Sequence, residues 1–518
     1  MEIAGCERLL LGILLFSACS VIVKIIYRLY FHPLARFPGP RFVAATSLLE
    51  LYWDMVGQGA YLYRIEQMHQ KYGPIVRVNP QELSIKDPSY YDQLYVAGAV
   101  RRTNCWTGNG GMEFKDSHGT TVEHDHHRLR RKPMEPYFSR AGISRIEPVL
   151  KRIVQTLVDR LDQYKGSGNV ISLDCLFSAF SGDVITAICV GDGDATSLRH
   201  PSFDPEWILM SLPERFLEKA NPEFKRLNEW RNRAGKHIME AMMVQESFND
   251  ASDLLHKASS RHATLFHQLL SPQSGLPDSE RSIERLTTEA QVLLGAGTVT
   301  TTRTLSYLIT HILLQDSVKI TLERELRAQA VDLRNGSTSL ADLEKLQYLQ
   351  ACVKEGLRQV LSFGFMVRLP RCSPDVELRY GKWTIPKGVS GRVLYFHQPE
   401  ATTYSIDHQT PVGMSAYLTH TDPTIFAEPH EFRPERWLEG QVTPAMKQAY
   451  VPFSKGSRAC LGSNLAYAEL LMLTAALFQP GAPPLVLWET SARDVDPFHA
   501  YLLPMPRIGG GGAKVLIR

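Results

Sequence analysis

One short run constrains this chain more than anything else in it: Phe453-Ser-Lys-Gly456-Ser-Arg458-Ala-Cys460-Leu-Gly462, leading directly into the helical pattern Leu461–Leu477. A cysteine just ahead of a helix N-terminus has its thiolate favoured by the positive end of the dipole and by backbone N–H groups without intrahelical partners. Gly456 and Gly462 let the backbone come close to something flat and bulky on either side of the sulfur. Arg458 supplies a cation for an anionic group nearby. A lone cysteine is most often a buried apolar residue. These neighbours instead describe an axial thiolate for heme iron, with the arginine on a propionate.

The rest of the chain can carry such a site. Its 518 residues are 44% hydrophobic and 21% charged, enough to bury a large core and too apolar for disorder. A formal charge of +3, with no Lys/Arg run interleaved with aromatics, argues against a nucleic-acid footprint. The eight cysteines are scattered without a C-x-x-C pair, which excludes a disulfide framework or zinc module.

The front end reads as a membrane anchor. Leu9 to Val23 is apolar apart from small residues, and Lys24 can snorkel while the run continues through Ile25-Ile26-Tyr27. About eighteen residues at ~1.5 Å each cover a hydrocarbon core. Lys24, Arg28, Arg36 and Arg41 lie on its C-terminal side, so the positive-inside bias places the bulk of the chain in the cytosol. A cleaved signal peptide is the alternative; the charge-poor start and the missing A-x-A-like site stand against it. The division is residues 1–8 as a short lumenal N-terminus, 9–30 as the transmembrane anchor, 31–44 as a stiff Pro-rich linker and 45–518 as one catalytic domain. Under this topology the sequon Asn335-Gly-Ser337 is cytosolic and unmodified.

Helical periodicity dominates beyond residue 45. It predicts helices over Tyr61–Tyr72, His124–Arg131, Ile143–Tyr164, Leu173–Cys189, Pro222–Gln245, Ile283–Gln315, Ser317–Ala330, Leu343–Val360 and Leu461–Leu477. Short strands are expected at Ile75–Val78, Glu82–Ile85, Val376–Leu378, Trp383–Ile385 and Ala513–Ile517. The fold class is mainly α with a small β-sheet.

The complete F-x-x-G-x-R-x-C-x-G pattern resembles the heme-binding loop of the cytochrome P-450 superfamily, and other segments match in family order. Glu355-Gly-Leu-Arg358 resembles the family's E-x-x-R pair, and Pro434-Glu-Arg436-Trp437 the segment whose arginine joins it; the resemblance implies a structural network Glu355–Arg358–Arg436. His126 and Arg130 match the H-x-x-x-R form of the propionate-facing helix, and Arg368 is a further candidate, so His126, Arg130, Arg368 and Arg458 would neutralise two propionates beside Phe453, Gly456 and Gly462. His124, His126 and His127 with Asp125 are too consecutive to share one helical face as a metal cluster.

Ala290–Gly297 with Thr298-Val299-Thr300-Thr301 resembles the family's oxygen-handling helix. The resemblance implies catalytic positions at Ala296, Gly297 and Thr300, with the glycine opening the helix for oxygen. Val299 stands at the family's acid position, and a valine cannot relay protons; slower, leakier oxygen activation is expected. Ile385-Pro-Lys-Gly388 and Pro411-Val-Gly-Met-Ser-Ala-Tyr417 resemble two halves of one hairpin, split by Val389–Gln409. Codons for Val389 and Gln409 can begin GT and end AG, so residues 389–410 read either as a translated insertion, expected as an exposed loop, or as a retained intron.

The resemblance covers nearly the whole chain, and runs such as Lys71-Tyr-Gly-Pro-Ile-Val-Arg-Val-Asn-Pro80 are similar to the fungal secondary-metabolism branch with trichodiene-oxygenase-type monooxygenases. It implies heme b as cofactor and a monooxygenase inserting oxygen into an apolar, terpenoid-like substrate. Electrons would come from NADPH through a separate NADPH–cytochrome P-450 reductase, with cytochrome b5 as a second donor, at the endoplasmic reticulum membrane. Substrate walls are expected from the Cys105–Ser117 loop, Trp207–Trp230, Leu293–Thr300, Phe363–Val367 and the turn near Tyr501. The alternatives are a heme-thiolate isomerase or dehydratase that needs no oxygen, which Val299 keeps open, and a non-catalytic heme-binding carrier or gas sensor.

Overall fold

The computed structural model describes residues 2–98, 100–105, 116–191, 197–199, 203, 264–360, 368–387, 389–393, 404–408, 410–500, 504–507 and 509–518. The expected helix Pro222–Gln245 and the walls at 207–230, 363–367 and 501 lie outside these residues, as does most of the 105–117 loop.

Helix α1 (Glu2–Ile26) runs into a π-helical turn at Tyr27–Phe31. Residues Leu11–Phe31 have a mean hydropathy of 1.8 with none of that stretch buried, so the segment is long and apolar enough to cross a membrane. The segment that follows differs from a free spacer. Leu34 and Phe37 are buried against the first sheet, Phe37 stacks on Trp383 at 5.0 Å, and Arg36 Nη2 donates to Thr384 O at 2.7 Å. Prolines stiffen this segment, but apolar burial seats it.

The globule is built on helices α2 (Tyr61–Tyr72), α3 (His124–Arg131), α4 (Arg140–Gln163), α5 (Leu173–Cys189), α6 (Ile283–Leu314), α7 (Asp316–Ala328), α8 (Gln347–Val360) and α9 (Ser463–Phe478). Ser139 starts α4 three residues before the apolar pattern does, because its hydroxyl accepts from Gly142 N at 3.0 Å. The expected helix Leu343–Val360 is two pieces, a turn at Leu340–Leu343 and then α8. Glu325 causes the restart by accepting the N–H groups of Tyr348 and Leu349 at 2.8 and 2.9 Å.

The largest core cluster is shared by α4, α5, α6, α8 and α9, and α6 runs through it with Leu305, Leu308, Ile309 and Ile312 fully buried. A five-stranded sheet lies against its own smaller core. Its order is β1-β2-β10-β5-β3, from β1 (Ile75–Arg77), β2 (Leu83–Ile85), β3 (Thr103–Asn104), β5 (Arg371–Cys372) and β10 (Val412–Gly413). A second sheet joins β4 (Ile171–Ser172), β11 (Leu485–Leu487) and β14 (Lys514–Ile517), and β12 (His499–Ala500) pairs with β13 (Pro504–Met505).

Two strand expectations shift. Gly381, at φ +52°, turns the chain so that β6 (Leu378–Tyr380) pairs with β7 (Trp383–Ile385), moving the first strand two residues beyond Val376–Leu378. The tract expected as an exposed loop is instead an antiparallel ribbon, β8 (Val389–Val393) on β9 (Tyr404–His408), in register from Val389↔His408 to Val393↔Tyr404. β-branched and aromatic residues at its strand positions favour pairing. The ribbon brings its ends together, so β10 still meets β2 and β5.

Candidate functional site

The cysteine loop is tied down from both ends. Cys460 N donates to Phe453 O at 2.9 Å, Ala459 N to Gly456 O at 3.1 Å, and Phe453 packs on Tyr467 of α9 at 5.3 Å. Gly456 has φ +79°, and a Cβ there would lie 2.4 Å from Val96 O. Its close neighbour is therefore the 95–96 backbone, to which Ser457 N also donates at 3.0 Å. Gly462 caps α9, and a Cβ added there meets open space. The Cys460 side chain is exposed to solvent although protein crowds it. That crowding pushes the thiol up, while the Gly462 N–H on the sulfur and the Arg131 guanidinium both act to lower it.

Arg131, one position beyond the expected Arg130, reaches this loop: its Nη1 donates to Ala459 O at 2.7 Å. With it stand His127, Arg371 and Arg458. His127 is 2% exposed, and burial together with Arg458, His118, Arg131 and Arg371 depresses it to about 2, so the ring is neutral; its Nδ1 is buried with no partner among the described residues. Arg458 donates to the carbonyls of Thr121 (2.7 Å), Val122 (2.8 Å) and Glu123 (3.2 Å), leaving Nε buried and unpartnered. Burial, then Arg371, push Arg458 down to about 9, with Glu123 opposing.

The other expected cations have partners elsewhere. Arg130 makes a fork with Glu280, Nε to Oε2 at 2.7 Å and Nη2 to Oε1 at 3.0 Å, and His126 Nε2 meets the same carboxylate at 2.6 Å. Arg285 adds a second guanidinium at 3.0 Å. Burial opposes ionisation of Glu280, yet these partners hold it down at about 2. Arg368 sits on Glu50 at 2.6 Å and Glu82 at 3.5 Å. Beside the cysteine loop the fold thus brings His127, Arg131 and Arg371, while His126, Arg130 and Arg368, expected there, lie on Glu280, Glu50 and Glu82. On α3 both i,i+4 pairs have identical spacing, and only tertiary packing selects the face. Arg371 follows Arg368 within one short segment, and β5 pairing with β3 turns it inward, where its Nη1 donates to Asn104 Oδ1 at 2.9 Å.

Glu355 gathers the network expected of it. Arg358 gives it Nε at 2.9 Å and Nη2 at 2.7 Å, and Arg436 gives Nε at 3.1 Å. Trp437 Nε1 donates at 2.8 Å, a partner the sequence motif contained without a role for it. The network extends through His420, unnoticed in the sequence. Val451 N donates to His420 Nε2 at 2.9 Å, so the neutral ring carries its proton on Nδ1 and gives it to Arg358 O at 3.0 Å. Val451 opens the run that leads into Phe453 and the cysteine.

α6 is an unbroken helix through Gly297. The glycine is required by packing: a Cβ there would lie 2.8 Å from Ile185 Cγ1 of α5. This contact is a physical reason for the residue. Ala296 is exposed and Val299 and Thr300 are half-exposed in a helix otherwise deep in the core. Thr300 Oγ1 donates to Ala296 O at 2.7 Å, so its proton belongs to the helix and its oxygen is left as an acceptor.

These residues suit a heme. A sulfur that remains accessible within crowded protein, open space beside Gly462, and a crowded Arg458 whose charge burial, Arg371 and Arg131 all disfavour together call for a flat, dianionic ligand. A family model described as Cytochrome P450 matches residues 48–391 and 399–480. The chain belongs to the cytochrome P450 family and is a heme-thiolate monooxygenase. Members of this family use a redox partner and an organic substrate. The break in the match, 392–398, falls inside the Val389–Gln409 tract. Among its relatives, fusicoccadiene C-8 hydroxylase of Phomopsis amygdali is 46% identical, covering 99% of this chain and 97% of that protein. Cytochrome P450 monooxygenase oblB of Cochliobolus heterostrophus is 43% identical (96% and 94% covered), and stellatic acid synthase of Emericella variicolor 40% (100% and 96%).

Proposed function

We propose that this enzyme hydroxylates an apolar, polycyclic terpene hydrocarbon of the fusicoccadiene kind. The observation that carries the site assignment is the cluster of His127, Arg131, Arg371 and Arg458 around an accessible Cys460. The substrate class is supported by the name of the 46% identical relative and by the apolar strip Leu293, Ala296 and Val299 on α6.

The heme, when bound, supplies dioxygen activation at a thiolate-ligated iron. Cys460 is the ligand. The Gly462 N–H and Arg131 stabilise its anionic form against the cost of crowding. Arg371 and Arg458 hold the propionates, with the neutral His127 as a hydrogen-bond partner. Thr300 offers its oxygen as an acceptor on the face of α6 that also shows Ala296. The Glu355–Arg358–Arg436 network, through His420, holds the approach to the loop rigid.

The segment Leu11–Phe31 anchors the protein in the endoplasmic reticulum membrane as a single pass, with the globule cytosolic, and electrons arrive from NADPH–cytochrome P450 reductase, with cytochrome b5 as a second donor. The test is the reduced carbon-monoxide difference spectrum, followed by turnover with reductase, NADPH and fusicoccadiene. A thiolate-type Soret band, lost in Cys460→Ala, and a product heavier by one oxygen are expected. NADPH consumption independent of terpene, with no oxygenated product, sinks the substrate assignment.

A further inference from the structure

One carboxylate on α6 has no part in the site above. Glu289 is fully buried, and it meets a segment far away in the chain. His118 N donates to its Oε2 at 3.1 Å, and Arg285 Nη2 stands 2.6 Å from the same oxygen. Burial opposes ionisation, but His118, by charge and hydrogen bond, and Arg285 hold the carboxyl below its ordinary range. Glu289 is therefore an anion that can only accept, so the His118 Nδ1 in contact with its Oε1 carries the proton. A buried ion pair is a poor source of stability, and its best-attested use is to fix one arrangement.

The arrangement fixed is a turn at residues 117–121. Thr121 N and Oγ1 both donate to Ser117 O, at 3.1 and 2.7 Å, and Asn104 Nδ2 donates to Gly119 O at 3.1 Å. Arg458 and Arg130 hold its far end, at Thr121 O and Thr121 Oγ1. A Cβ on Gly119 would lie 3.7 Å from Val292 Cγ1, so the turn rests on α6. Glu289, Val292, Ala296, Val299 and Thr300 recur at helical spacing along one face of that helix. The face is closed at Glu289, half-exposed at Val292 and exposed at Ala296, about 10 Å further along. It opens where the turn ends. We propose that Glu289, acting through His118, is a positioning residue that clamps this turn as an end stop on α6 and so fixes which carbon of the substrate lies beside Thr300. This rests on the hydroxylase reading above.

The test uses holoenzyme and 1-alkylimidazoles of increasing chain length, titrated through the Soret band, so that the chain gauges the room along α6. In the wild type, affinity should fall sharply beyond one chain length. His118→Leu keeps the bulk and breaks the clamp, and is expected to bind the longest chains roughly threefold or more tightly than the wild type. His118→Asn, whose amide can donate where Nδ1 did, should return the wild-type profile. Gly119→Leu adds to the stop above Val292 and should weaken the same chains. An unchanged profile in His118→Leu overturns the clamp, whatever Gly119→Leu does. Should His118→Leu fail to fold, Glu289→Gln, which keeps an acceptor for His118 N and removes the charge, is read in the same way. In turnover with reductase, NADPH and fusicoccadiene, the ratio of minor to major alcohol is expected to rise roughly fivefold in His118→Leu. An unchanged ratio overturns the role in fixing the oxidised carbon. A shifted chain-length profile with no terpene oxygenated by the wild type counts against the substrate reading and leaves the stop standing.

Discussion

At Gly297 two effects of opposite sign meet. Alanine is the better helix former by about 1 kcal/mol, but its Cβ would sit 2.8 Å from Ile185 Cγ1 and 3.0 Å from Ile185 Cβ, atoms close to the backbone that cannot swing away. Overpacking of this kind costs about 1–3 kcal/mol, so the clash outweighs the propensity. Gly297→Ala is expected to lower the melting temperature, and adding Ile185→Ala should recover part of the loss; a stabilised single variant would refute the packing account. The arginines separate by a similar comparison. Arg371→Gln should weaken hemin binding, read by titration of the Soret band. Arg368→Gln should leave that affinity near wild type and lower stability instead, because its partners are Glu50 and Glu82. Equal hemin affinity in both variants would show that Arg371 does not hold a propionate.

At the scale of elements, α8, the turn at Pro434–Trp437 and the segment around His420 are joined through one carboxylate. Removing one partner of a buried ion pair costs about 3–5 kcal/mol, and Glu355, with Arg358 at 0% exposure beside it, has that setting. Glu355→Gln is expected to unfold at markedly lower denaturant concentration, with Trp437→Phe losing less, about 1–3 kcal/mol for one unmade hydrogen bond. Acid attacks the fold in two windows, one at this scaffold and one at the Glu280 cluster. Burial, then Arg358, lowers His420 from 6.5 to about 3, so the stability of its neutral ring is complete above pH 6.5 and is lost as pH falls toward 3. Glu280 is lowered from 4.5 to about 2, so its contribution is full above pH 4.5 and is lost as pH falls through 2. His420→Gln should flatten the upper part of the stability–pH curve, and Glu280→Gln the lower part, both measured by thermal melts.

For the whole molecule, the ribbon β8–β9 is the informative piece: like β6–β7 and β12–β13 its strands pair only with each other among the described strands, and the break in the family match falls inside its tract. Excising Val389–Gln409, so that Thr410 follows Gly388, should leave heme content and melting temperature essentially unchanged. Loss of heme on excision would show that the tract supports the site, and sequencing spliced transcript across the junction decides whether it is translated. The anchor is separable in the same sense: Leu11–Phe31 meets the globule through Arg28, whose Nη1 donates to Ala45 O and whose O accepts from Arg77 Nη1, both at 2.9 Å, whereas Leu34 and Phe37 are buried in it. A truncation after Phe31 should therefore fold, and one that also removes residues 32–40 should lose stability.

The cysteine loop, the E-x-x-R pair and most helices were legible in the linear chain because each depends on residues close together: a glycine-framed thiol before a helix, charges three apart on one face, apolar residues at helical spacing. Which side of a helix faces the heme site is another matter. His126/Arg130 and His127/Arg131 obey the same local rule, and Arg368 and Arg371 are near neighbours; the choice falls to distant carboxylates, Glu280 and Glu50, that claim one member of each pair. Gly297 likewise answers to Ile185 across a helix interface, and Glu289 to His118. Local chemistry set the kind of site, and long-range packing and charge pairing set its membership.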